Sequence, residues 1–162
     1  MYTLEVLENS IFKSEDFEEV ISLGQGRHYY ILKDGMPYCL VTVDDKSMIT
    51  SGTICEGFFV ASHNDEVVII SLNDLLVKKK IKPAGYFCRA AFFRDVLLIS
   101  DCTGITALNR KLEVLWDNHN LAVDGVIFED TVSDNVIEIS CEMDPPGGWV
   151  TKEINIISGE VS

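Results

Sequence analysis

Between residue 112 and the C-terminus there is a single basic residue, Lys152, against eleven acids. Such a shortage of positive charge argues against nucleic acid or anionic lipid as the partner of this segment. It favours fast, steered encounter with a basic protein. The imbalance is local. Residues 1–35 carry seven acids and three bases, and residues 36–111 carry eight acids and nine bases, so the last third supplies most of the net charge of −13. Long apolar runs are missing too, and a membrane-spanning helix would need roughly 20 such residues. The opening MYTLEVLENSIFKSEDFEEV has no basic n-region, continuous apolar h-region or small-residue cleavage site, so no secretory signal is read in it. Cys39, Cys55, Cys88, Cys102 and Cys141 are odd in number and widely scattered. That pattern argues against a disulfide framework and for reduced, buried thiols in the cytoplasm.

Catalytic and metal-binding patterns are equally scarce. His28, His63 and His119 have no second His or Cys at ligand spacing, and no two cysteines stand two to four residues apart. The stretches DDKS and DNHNLAVDG have the composition of calcium loops without the spaced acids, central Gly and distal Glu. There is no G-x-S-x-G elbow. Cys88 beside Arg89 lies between GYF and RAAFF, which reads as a strand thiol packed in a core. GQG at 24–26 lacks the Gly and Lys of a phosphate loop and is better explained as a helix stop. Glu18-Glu19 and Glu129-Asp130 are adjacent acids, but a working acid and base need environments that separate their pKa values. A chain with 26 acids offers such pairs by chance. The expectation is therefore no enzyme, no metal and no cofactor. The one basic cluster, VKKKIK at 77–82, reads as an outer strand whose lysines guard an exposed edge rather than as a phosphate contact. No nucleic acid and no membrane are expected as partners.

What the sequence does contain is hairpins. Short β-branched and aromatic runs split by Asx and Gly pairs recur in four stretches, His28–Thr50, Phe58–Ile81, Asp95–Asp117 and Asn135–Val161. Asp34-Gly35, Asn64-Asp65 and Asn73-Asp74 are breaks of this type, because Asx and Gly tolerate the left-handed backbone of tight turns. Runs starting at Tyr29, Phe58, Val96 and Val136 are 29, 38 and 40 residues apart. Meanders at that period predict an all-β fold, a compact or incomplete β-propeller-like domain spanning residues 1–162. One short helix is expected in SEDFEEVISLGQG, with Ser14 as N-cap and Gly24 as stop. The strand YTLEVLE is expected to pair with the last strand and close the repeat.

The C-terminal half also resembles a tail shared by many small uncharacterised bacterial proteins. In these a Trp closing one meander is followed by an Asp-Gly turn, a Trp-led strand and a terminal Ser/Thr-Gly. The matching positions are Trp116, Asp124-Gly125, Trp149 and Ser158-Gly159, within roughly residues 90–162. The resemblance implies a small propeller-like β fold and no catalytic activity. In size and charge the chain is also similar to immunity proteins encoded beside contact-dependent bacterial toxins.

The acidic block and the turn DPPGG together define a candidate surface. Glu138, Glu142, Asp144 and Trp149 flank that turn, and Glu129 and Asp130 add charge beside it. Alternation sets Glu138 and Glu142 opposite Ile137, Ile139, Cys141 and Met143, on an outward face. A loop aromatic among acids has the composition of a hot spot for a basic partner, while Trp116 and Trp149 could equally plug gaps between meanders. The main functional expectation is a non-enzymatic acidic protein that neutralises a basic protein, such as an immunity protein against a nuclease-like toxin. The alternative is a general interaction or regulatory module. The acidic segment Glu15 to Glu19 is the next candidate surface.

Overall fold

The computed structural model describes residues 1–6, 11–44 and 52–162, without the side chain of Asp130. The third run of the first expected meander, at 46–50, lies outside the described residues. The chain forms two compact units, Met1–Lys82 and Pro83–Ser162. In the first are β1 (Tyr2–Val6), β2 (Glu19–Ser22), β3 (Arg27–Lys33), β4 (Met36–Val43), β5 (Thr53–Cys55), β6 (Phe58–His63), β7 (Glu66–Ser71) and β8 (Leu76–Ile81). In the second are β9 (Phe87–Phe93), β10 (Val96–Asp101), β11 (Ile105–Leu108), β12 (Val114–Asn118), β13 (Val126–Ser133), β14 (Val136–Asp144) and β15 (Gly148–Asn155). The sheets run β1-β3-β4-β2, β5-β6-β7-β8, β9-β10-β11-β12 and β13-β14-β15.

The turn chemistry does what the sequence asks of it. Between β3 and β4, Asp34 and Gly35 both take left-handed backbone, at φ 52° and 80°. Asn64 does the same at φ 54° between β6 and β7. Two hairpins that carry weaker signals close in the same way, one on Glu56-Gly57 and one on Arg94-Asp95, with Glu56 and Arg94 at φ 41° and 55°. The expected meanders are real, but three of them start one strand early: β5, β9 and β13 precede the runs that begin at Phe58, Val96 and Val136.

Two expectations are corrected. The helix is a single 3-10 turn over Ser14–Asp16, and Glu19–Ser22 is a strand pairing parallel to β4, Glu19↔Cys39 through Ser22↔Thr42. Ser14 is not the cap. Lys13 stands at the N-cap position, and its backbone N–H donates to the Asp16 carboxylate at 2.7 Å. Phe17 is the reason. It is buried, and its ring stacks on Tyr30 at 5.0 Å and 13°. Once Phe17 is fixed there, β-branched Val20 and Ile21 complete the outer edge of β4, which a short helix could not do. The second correction concerns the first strand. β1 pairs antiparallel with β3, Tyr2↔Lys33 through Val6↔Tyr29, and β15 pairs with β14. β1 alternates core-side and outer residues in register with β3, so pairing inside its own sheet needs no long closure.

Each unit has its own core. In the first, Tyr29, Ile31, Cys39 and Val41 pack with Phe59, Ala61, Val68 and Ile70. In the second, Leu98, Ile105 and Ala107 pack with Val126, Ile137, Ile139, Cys141 and Ile154. β3 is buried on both faces, since Tyr30 and Leu32 join Phe17 and Leu40 in a smaller cluster. Runs such as HYYILK and VVIIS are continuous rather than alternating for this reason. β8 is an edge strand. Its Lys78 and Lys80 pair with Asp74 and Glu66, which fits the edge-guarding reading of VKKKIK.

All five cysteines are free; Cys39, Cys55 and Cys141 are buried, and Cys88 and Cys102 are half-buried. Burial pushes the thiols of Cys39, Cys55 and Cys88 up to about 11, and it raises Cys102 and Cys141 as well. Native alkylation followed by mass counting should spare Cys39, Cys55 and Cys141 until the chain is denatured. The same shifts fix the alkaline behaviour. Unfolded thiols ionise near 9 and the folded ones near 11, so their contribution is complete below pH 9 and lost as pH rises toward 11. For Cys39 and Cys55 that loss is about 2–3 kcal/mol each. The melting temperature should fall across this window, and cysteine-to-alanine variants at both sites should flatten the fall.

Candidate functional site

The hairpin joining β14 to β15 organises one end of the last sheet. β14 alternates as expected: Ile137, Ile139 and Cys141 are buried, while Glu138, Ser140 and Glu142 lie on the other face, half-buried. Register is kept to Glu142↔Trp149 and then slips by one residue before Asp144↔Gly148. That bulge turns Met143 out of the core, where the simple alternation had placed it, and leaves it exposed. Gly148 is required by the turn. A Cβ there would meet the Asp144 carbonyl oxygen at 2.7 Å. The Glu142 carboxylate accepts from the Gly147 backbone N–H at 2.5 Å and so caps the same turn.

Trp149 emerges beside this turn, 44% exposed, with Glu142 opposite it across the strands. Its indole lies over Gly125, where a Cβ would come within 3.3 Å of the ring. The segment 121–125 is held from several sides. Val123 and Asp124 donate their backbone N–H groups to the Glu142 carbonyl at 2.8 and 3.3 Å. The Tyr86 hydroxyl donates to the Asp124 carbonyl at 2.7 Å and to its carboxylate at 3.0 Å. Burial, and then the Asp124 carboxylate, raises the Tyr86 phenol, which keeps it a donor. Lys152, the lone base of the acidic block, lies across from Ile139 and donates its ammonium to the Leu121 carbonyl at 2.6 Å. Its charge is thereby drawn toward its own loop. What this end presents is Trp149, Tyr86, Val123, Met143 and Val150, all exposed, among the carboxylates of Asp124, Glu142 and Asp144.

The structure thus brings together three of the residues singled out from sequence, Glu142, Asp144 and Trp149. Glu138 lies further along β14 opposite Glu153, about 13 Å from Glu142 at 3.3 Å per residue. Glu129 is exposed on β13 at a register shift, and the side chain of Asp130 lies outside the described residues. Sequence reasoning missed Tyr86, Val123 and Asp124 as members of this end. Tyr86 is joined to it by a contact 38 residues away, for which no local pattern exists. Trp116 has a different role. Its ring lies over Gly159 and its Nε1–H donates to the Ile156 carbonyl at 3.1 Å, so it packs β12 onto the chain after β15.

These positions also separate two substitutions. Glu142→Lys removes the acceptor of the Gly147 N–H and should lower stability by about 1 kcal/mol. Asp144→Lys should leave the urea midpoint unchanged, since that carboxylate is exposed beyond the bulge. Equal midpoints for the two would remove the capping role of Glu142.

No family model and no curated protein matches the chain. Solved structures do. BamB from Moraxella catarrhalis matches at a TM-score of 0.59 with 10% identity, over 98% of this chain and 50% of that one. The WD40 domain of Neurospora crassa Pan2 matches at 0.53 with 8% identity, over 84% of this chain and 45% of that one. The fold is propeller-like. At this identity the likeness concerns the fold alone, and the propeller-like chain spans about half the length of the structures it matches. Among the described residues, no helix is long and apolar enough to cross a membrane, and no group of three or more His, Cys, Asp or Glu is placed to hold a metal.

Proposed function

We propose that this chain is a protein-interaction module, acting by binding rather than catalysis, and that its partner is a basic protein. The observation that carries this reading is the Trp149 end of the last sheet. It sets an exposed indole on a clamped loop among three carboxylates, while the only base of the block is turned to its own backbone. Aromatic anchors with acids around them suit a partner that offers Lys or Arg beside apolar side chains. Propeller-like scaffolds commonly present loops this way, although a scaffold alone does not set function. The five free thiols favour a cytoplasmic setting. Neutralising a cationic toxin, as an immunity protein does, is the special case in which the basic partner is a toxin domain.

The test is site-directed photo-crosslinking in cells from position 151, next to Trp149 on the outer part of β15, and from position 65 in the first unit as control. A crosslinked protein of high isoelectric point, captured from 151 and lost on Asp144→Lys, supports the reading. Acidic proteins captured equally from both positions would overturn it.

A further inference from the structure

A second concave surface lies in the first unit, and neither the acidic C-terminal block nor the Trp149 end contributes to it. β4 starts at Met36, but β2 gives it a partner only from Cys39 onward. Met36 and Pro37 are paired with Lys33 and Leu32 of β3 on one side, and β2 has not yet begun on the other. The chain leading into β2 is drawn away because Phe17 is buried on Tyr30. The gap is a groove of about 650 Å³ lined by Phe12, Asp16, Glu18, Glu19, Met36, Pro37 and Tyr38.

Its chemistry is one-sided. Among the described residues that line it, three are carboxylates and none is a base. Asp16 already accepts from the Lys13 backbone N–H, whereas Glu18 and Glu19 are exposed at the mouth of β2. Phe12, Pro37 and Tyr38 contribute to its lining, with Met36 67% exposed beside them. Met at such a site adapts its shape to apolar side chains of differing form. Pro37 has no N–H, so an added strand cannot take the usual ladder bond at that residue and side-chain contacts must dominate. The Tyr38 ring is already engaged, with the Lys33 ammonium 5.2 Å from its centroid and its hydroxyl donating to the Leu72 carbonyl at 2.7 Å, so Phe12, Met36 and Pro37 supply the open apolar surface.

We propose that this groove binds a short extended segment of a protein partner in which Arg or Lys stands beside an apolar side chain. The apolar group lies on Phe12, Met36 and Pro37, and the cation meets Glu18 and Glu19. A groove of this size holds two or three side chains of a peptide. Charge complementarity and the long aliphatic stems of Arg and Lys favour this occupant over an anionic or purely apolar one.

The test uses the full chain, isotope-labelled for NMR, titrated with the peptides acetyl-Ala-Arg-Leu-Arg-Ala-amide and acetyl-Ala-Glu-Leu-Glu-Ala-amide and with argininamide. The Arg peptide should shift amides of residues 12–19 and 36–38 saturably, and the Glu peptide should not. Combined Glu18→Gln and Glu19→Gln should weaken the Arg peptide at least about tenfold, with the thermal melt unchanged. Trp149→Ala should leave it intact, so this site and the C-terminal surface fail separately. No saturable shift at millimolar peptide, equal binding of the Glu peptide, or full affinity in the Gln variant would overturn the proposal. Argininamide matching the Arg peptide in affinity would overturn the peptide as occupant and leave a small cation.

Discussion

Asp101→Ala is expected to destabilise the second unit by about 2–4 kcal/mol, because it removes the acceptor of four donors at once, the Gly104 N–H buried and the other three partly buried. Asp101 ends β10 and is 3% exposed. One carboxylate oxygen accepts from the Thr103 N–H at 2.8 Å, the Thr103 hydroxyl at 3.1 Å and the Gly104 N–H at 2.8 Å. The other accepts from the Ala84 N–H at 2.8 Å, and the Nδ1 of His119 stands 3.2 Å from it, off the hydrogen-bond direction. One side chain therefore ties the segment entering β9 to the turn between β10 and β11. Alanine leaves these donors without acceptors, at about 1–3 kcal/mol for each one kept from water. Asparagine can keep the three bonds to one oxygen but sets its NH2, a donor, against the Ala84 N–H, so it should cost less than alanine without being neutral. Urea midpoints of wild type and both variants check this. An alanine variant within 1 kcal/mol of wild type would mean that water replaces the carboxylate.

If the proposed basic partner binds here, Trp149→Ala is expected to weaken its binding by about 2–4 kcal/mol while leaving the thermal melt nearly unchanged. The indole contributes little to the core, since 44% of it is exposed and its near contact is Gly125. In a complex it would be the largest apolar surface at this end, and the carboxylates around it would set orientation and encounter rate. Those forces are screened within about 8–10 Å at physiological ionic strength. The association rate should therefore fall steeply with added salt, and Asp144→Lys should lower both the rate and its salt dependence. Titration calorimetry and stopped-flow measurement with the crosslinked partner provide both numbers. A salt-independent rate would remove the electrostatic part of the reading, and unchanged affinity in Trp149→Ala would move the interface elsewhere.

Parts of this molecule were legible without a fold. Asp34-Gly35 and Asn64-Asp65 are turn pairs whose backbone preference is local, so the hairpins they close could be read directly. The alternation from Ile137 to Cys141 is local too, and it oriented Glu138 and Glu142 correctly. The helix expected from Ser14 failed because its acids and cap are local signals that lose to a distant one, the Tyr30 ring on which Phe17 stacks. Met143 failed for a related reason, since a bulge depends on the partner strand and turn together.

By itself, then, the sequence determined the all-β class, the repeated meanders and the acidic, outward character of β14, because periods of two and Asx-Gly turns act over a few residues. Tertiary structure decided which strand β1 joins, that residues 19–22 become a strand, and that Tyr86 and Asp124 meet beside Trp149. Each of those outcomes compares contacts between segments tens of residues apart, and their free energy is not written in any one segment.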